Sequence, residues 1–177
     1  MVDTKLSFEE RQVKALQKPY LHPESAYTRR PRTDFIVIHC SADPEEDGIN
    51  DHAEDIREMH VKENGWLDIG YHFVIERDGL VELGRPHWAV GAAVAGQNSR
   101  CLHICMIGGA DKNGRGENDF TQAQWDALES LVIQATAWYP DAKVCGHRDF
   151  KGVNKDCPSF DAKGWWAEVL QNWGLAQ

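Results

Sequence analysis

The stretch FIVIHC, residues 35–40, decides the fold. Four apolar residues run without alternation into His39 and Cys40, the pattern of a central strand covered on both faces. A sheet covered on both faces needs helices on either side, so the rest of the chain should supply them. It does. Residues 51–63 read as a helix ended by Asn64-Gly65, the usual C-terminal punctuation. Tyr71–Glu76 and Leu80–Leu83 flank Arg77-Asp78-Gly79 and read as a hairpin with an Asp-Gly turn. Leu102–Gly108 is a further apolar strand, and KVCGH, residues 143–147, a short one. Thr121 and Gln124 form a capping box ahead of Trp125, Leu128, Val132, Ala135 and Trp138, which share one helix face and read as core. Residues 161–173 read as a C-terminal helix. The expectation is α/β: a single-domain mixed β-sheet flanked by helices over residues 34–177, with an N-terminal extension over residues 1–33. In that extension Ser7 and Glu10 form another capping box and predict a helix to about Gln17. The segment KPYLHPESAYTRRPRT then reads as an irregular arm that packs on the domain or meets a partner.

Bulk composition narrows the function. The chain has 177 residues, 42% hydrophobic, with no internal repeat, enough for one domain with its own core. Its net charge of −9 argues against a general affinity for nucleic acid or for an anionic membrane surface. No stretch approaches the roughly 20 apolar residues that span a bilayer. The opening MVDTKLSFEERQ has no apolar core of a secretory signal, so synthesis in the cytoplasm is expected. The five cysteines form no CxxC pair and read as free thiols of a reducing compartment. For any one of them a buried structural thiol is the ordinary reading. Cys157, in the turn-like NKDCPSF, is the one set in polar surroundings.

His39 and His147 each end a short apolar strand, where α/β sheets tend to place sites. Cys157 follows His147 by ten residues, too far for a same-helix pair and suited to a strand-end ligand and a loop ligand joined by the fold. Two imidazoles and one thiolate make a three-ligand zinc set that leaves a fourth position for water. Spacing alone leaves open that each is an ordinary buried or surface residue. Lys155, two residues before Cys157, can lower the thiol pKa or stabilise an oxyanion, or can be a solvated surface lysine. Tyr71 can orient a water or be an ordinary sheet tyrosine. In a regular strand His72 points to the opposite face, which favours Tyr71 as the site residue.

The motifs FIVIHCSA, GWLDIGYHFVIERDG, WAVGAAVAGQN, ICMIGG, FTQAQWDALESL, GHRDF and KDCPSFD, in that order, resemble the zinc-dependent N-acetylmuramoyl-L-alanine amidases of type 2, above all the short phage lysozymes among them. The resemblance runs from about Asp34 to Trp173, and its GW-D-GYHF and K-x-CPSFD elements are highly specific. It implies a mixed sheet flanked by helices, one Zn2+ held by His39, His147 and Cys157, and catalytic roles for Tyr71 and Lys155. It also implies a zinc amidase domain over residues 34–177 that cleaves the amide between N-acetylmuramic acid and L-alanine in peptidoglycan. A phage endolysin is the expected setting, monomeric, made in the host cytoplasm and reaching the wall with the help of a holin. Some relatives bind a phage RNA polymerase, a further partner the resemblance brings. Two departures stand out. Family members commonly carry a histidine two residues after the glycine of AVG, where this chain has Ala93, with His87 and His103 nearby as stand-ins. The arm is longer than the short phage enzymes need. Two other readings share the fold: a peptidoglycan-binding module without catalysis, and a regulator acting through a polymerase. Binding modules typically lack the cysteine ligand, which Cys157 supplies here.

Overall fold

The computed structural model describes residues 6–44 and 52–175. In chain order the elements are α1 (Phe8–Leu16), β1 (Phe35–Cys40), β2 (Asp43–Pro44), α2 (Ala53–Lys62), β3 (Phe73–Ile75) and β4 (Val81–Leu83), then β5 (Cys101–Met106), β6 (Gly109–Ala110), α3 (Gln122–Trp138), β7 (Lys143–Gly146) and α4 (Ala162–Asn172). The main sheet has the order β4-β3-β5-β1-β7. β1 runs parallel to β5 and β7, β3 parallel to β5, and only β4 is antiparallel, so the sheet is mixed as the sequence implies. The stretch FIVIHC is its central strand, paired on both sides.

Side chains on a strand alternate between faces, and that alternation sorts the core. Ile36 and Ile38 of β1, with Leu102, Ile104 and Met106 of β5, pack against Leu128, Leu131, Val132 and Ala135 of α3. Trp165 and Trp166 of α4 extend the same layer. Each buried Leu, Ile or Val there contributes roughly 1.5–3 kcal/mol. The other face carries Val37, His39, Cys101, His103 and Cys105. Part of it is closed by α2, whose Ala53 and Ile56 meet Val74, Cys105 and Ile107. The functional side chains therefore come from the face opposite α3.

The expected elements appear with shifted ends. α2 lies within the predicted helix and Gly65 turns the chain after it at φ +68; Asp51, the first residue of that expectation, lies outside the described residues. The capping boxes at Ser7 and Thr121 both form. Asp78 Oδ1 accepts the Leu80 N–H at 3.0 Å and Gly79 sits at φ +87, which makes the hairpin turn. The first hairpin strand begins at Phe73 rather than Tyr71. Gly84 packs so closely on the Tyr71 carbonyl that a side chain at 84 would collide with it, and the chain is bent there rather than regular.

Residues 6–33 pack on the body. Gln12 of α1 accepts the Val81 N–H and donates to the Val81 carbonyl, both at 2.8 Å, along the outer edge of β4. Tyr27 donates to Asp68 at 2.7 Å, and Arg57 of α2 donates to the other oxygen of the same carboxylate at 2.8 Å. Asp68 is 0% exposed, so this pair of donors answers a fully buried charge.

Candidate metal centre

Each proposed ligand is placed by a different piece of local structure. His39 is the penultimate residue of β1, 1% exposed, on the face away from α3. His147 opens a short 3-10 turn directly after β7, and Asp149 ties that turn back by accepting the Gly146 N–H at 2.8 Å. The loop carrying Cys157 returns to the same place. The Arg148 N–H donates to the Cys157 carbonyl at 2.8 Å, and the Arg148 guanidinium meets Asp156 at 3.0 Å. Pro158 lies against Gly146, where an added Cβ would come within 2.7 Å of the proline ring. The ten-residue excursion thus closes on itself.

The ligand atoms of His39, His147 and Cys157 lie within 4.8 Å of one another, and they are the one such cluster of histidine, cysteine or carboxylate groups among the described residues. His39 Nδ1 is 3.9 Å from Cys157 Sγ, and the His39 and His147 ring centroids are 4.8 Å apart. The Cys40 N–H donates to Cys157 Sγ at 3.3 Å, a contact that favours a thiolate. Burial, with His147, His72 and Lys155 nearby, holds His39 well below the usual histidine range. Burial and Lys155 lower His147 as well. Both rings are therefore neutral imidazoles with a lone pair to give. The Cys157 thiol is nonetheless held up, first by the Cys40 side chain beside it and then by burial. The charge of Lys155 bears on His39 and His147. Two neutral imidazoles and a cysteine sulfur, gathered beside an open cleft, fit a zinc ion, whose charge would draw off the thiol proton.

The cleft has a volume of about 590 Å³ and takes in Tyr71, His147, Lys155 and Cys157. Tyr71 stands beside His39, and burial first, then the neighbouring Cys105, keep its phenol well above its usual range and protonated. His72, next in sequence, is fully buried and turns its Nε2 to the Ala89 carbonyl at 2.9 Å. His60, Asn64 and Trp66 with the Ala92–Ala95 segment complete the lining, the His60 ring 5.7 Å from that of Tyr71. The His60 and Trp66 rings stack at 4.6 Å, with Trp66 37% exposed. Burial, then Arg85, lowers His60 to about 4, and its Nδ1 accepts the Gly70 N–H at 3.0 Å.

Sequence reasoning missed His60 and Trp66; their positions on either side of the helix-ending Asn64-Gly65 were the available signal. Ala93 does line the cleft, its N–H held by Asn98 at 2.9 Å. Neither stand-in reaches it. His87 stacks on Trp138 of α3 at 4.8 Å, and His103 lies behind His39. All five cysteines are free and buried, so the ordinary reading holds for the four that are not ligands.

A mixed α/β sheet whose strand-end histidines and loop cysteine converge under an open cleft defines a hydrolase with a candidate metal site. The chain belongs to the N-acetylmuramoyl-L-alanine amidase family, whose profile matches residues 28–160. It is 45% identical over 140 residues to the endolysin of Klebsiella phage KP32, covering 79% of this chain and 89% of that one. It is 42% identical to the endolysin of Escherichia phage T7 over the same shares. Among solved structures, the endolysin N-acetylmuramoyl-L-alanine amidase LysCS from Clostridium intestinale superposes with a TM-score of 0.68 at 26% identity, covering 90% of this chain and 93% of that one. The protein is an amidase acting on peptidoglycan.

Proposed function

We propose that the protein is a zinc-dependent endolysin that cleaves the amide between N-acetylmuramic acid and L-alanine, with His39, His147 and Cys157 as ligands and Tyr71 and Lys155 as catalytic groups. The observation that carries this reading is that Tyr71, His147, Lys155 and Cys157 line one cleft, with His39 buried against His147 and Cys157. Zinc held there would supply Lewis acidity and a water acidified toward neutral pH.

The chain's own residues supply the rest. Tyr71, kept protonated by burial, presents an O–H donor at the cleft wall and can hold the attacking water in line or donate to the oxygen that gains charge. Lys155 brings a positive charge to the mouth of the cleft, where the tetrahedral oxyanion forms. The rings of His60 and Trp66 wall the cleft beside Tyr71 and offer an aromatic surface to the substrate. On this reading the domain begins near residue 34 and residues 6–33 are a packed extension. The enzyme acts as a monomer, is made in the host cytoplasm, and meets the wall after the membrane is breached. A binding module without catalysis is disfavoured by the retention of Cys157, Lys155 and Tyr71 in one site. Polymerase binding is a separate proposal drawn from the resemblance, and a pull-down with host and phage polymerases that captures nothing removes it.

The test is digestion of purified peptidoglycan followed by mass spectrometry, with and without a chelator. New L-alanine amino termini that disappear on chelation and return with added zinc are expected. New reducing sugar ends, or cleavage unaffected by chelation, overturn the reading.

A further inference from the structure

Behind the metal-facing side of His39 lies a second buried histidine that the reaction itself does not call for. His103, on β5, is 0% exposed, and its Nδ1 is 3.1 Å from His39 Nε2. We propose that His103 is a positioning residue of the metal centre: by accepting the His39 Nε2–H on its own Nδ1, it fixes the ring and tautomer that present the His39 Nδ1 lone pair to the ion. The proposal rests on the zinc reading above.

The proton positions follow from connectivity. His39 Nδ1 faces Cys157 Sγ, so in a neutral ring that gives this lone pair to a cation the proton sits on Nε2. Its neighbour must then accept, which puts the His103 proton on Nε2. The layer behind is fixed independently of any metal. His72 Nδ1 accepts the backbone N–H of His103 at 2.8 Å, so His72 carries its proton on Nε2 and donates to the Ala89 carbonyl at 2.9 Å. Arg30, from the N-terminal arm, holds the same carbonyl at 2.8 Å. The His72 and His103 rings stack with centroids 5.5 Å apart.

A space-filling role does not account for His103. Its Nε2 is buried with no hydrogen-bond partner among the described residues, a cost that an apolar side chain of similar size would not carry. Gly91 packs so closely that any side chain there would strike the His103 ring. Room is kept for an imidazole that stability alone would replace. The gain is on the other nitrogen, where outer partners of metal-bound histidines act.

The experiment measures zinc affinity of the purified full chain by competition with a chromophoric chelator, beside thermal unfolding of the metal-free protein. His103→Leu removes the acceptor; His103→Asn keeps one near the Nδ1 position. We expect the leucine variant to bind zinc about 10- to 100-fold more weakly, the asparagine variant to stay within about threefold, and the metal-free melting temperatures to agree within about 4 °C. Wild-type affinity in the leucine variant, or equal losses in both variants, overturns the proposal. Because a variant can misfold, long-range proton–nitrogen NMR of the zinc-loaded wild type supplies a second reading. His39 should show metal at Nδ1 and hydrogen at Nε2; the reverse overturns the proposal. A wild-type chain that takes up no zinc overturns the zinc reading itself.

Discussion

The ring of Tyr71 lies 5.2 Å from the ring of His39, centroid to centroid, with the planes tilted by 49°. A phenol held against the imidazole of a proposed ligand, and kept protonated by burial, is placed to donate a hydrogen bond rather than to abstract a proton.

Tyr71→Phe keeps the ring and removes the donor. The variant should fold and bind zinc normally while kcat falls roughly 10²- to 10⁴-fold. Steady-state hydrolysis of a muropeptide, with zinc content measured on the same sample, checks this. Unchanged kcat would remove Tyr71 from the chemistry.

Cys157→Ala and Lys155→Ala should fail differently. The first takes away a ligand and should leave the protein without stoichiometric zinc and without activity. The second should keep its zinc and lose about 10²- to 10³-fold in kcat, as for loss of one oxyanion donor. Metal analysis separates them, and a zinc-free Lys155→Ala protein would contradict the assigned role.

Acid should destabilise the protein through His72. Burial, with Arg30 adding to it, lowers this imidazole to about 3 from an ordinary 6.5. The folded pKa lies below the unfolded one, so the unfolded chain binds the proton more readily. Stability present above about pH 6.5 is lost as pH falls toward 3, reaching roughly 3 kcal/mol by pH 4 from this group. Urea unfolding of the metal-free protein across that window should show the loss, and His72→Gln should reduce it by this group's share, leaving the part due to the other buried histidines.

Asp68→Asn should cost about 3–5 kcal/mol, because it leaves the Arg57 guanidinium facing a neutral amide in a buried place. Thermal unfolding measures this. Zinc affinity should change far less than stability, since Asp68 touches none of the three ligands.

Local rules read much of this in the sequence. The unbroken apolar run of Ile36–Ile38 marks a strand covered on both sides, and the paired Thr121 and Gln124 mark a helix start. The spacing of Leu128, Val132 and Ala135 marks the face that meets the sheet. Alternation separates Tyr71 from His72. What stays hidden depends on contacts between distant segments. Alternation puts His103 on the same face as Cys101 and Cys105, yet only the register of β5 against β1, which sets His39 opposite Cys105, brings it behind His39. The placing of His60 and Trp66 in the same cleft as Lys155 likewise depends on how α2 settles on the sheet. The surroundings of Cys157 are hidden for the same reason: Lys155 is near in sequence, whereas the Cys40 side chain that holds the thiol up is near only in space.

The bond pair between Gln12 and Val81 has a consequence for how the molecule meets others like it. An outermost strand exposes a row of unpaired amides, a template on which a strand from another chain can grow. One glutamine amide, donating and accepting at a single residue, imitates the neighbour that β4 lacks. The arm thereby acts as a guard against aggregation, and at high concentration its loss would show as sheet-to-sheet polymerisation before any change in the chemistry of the cleft.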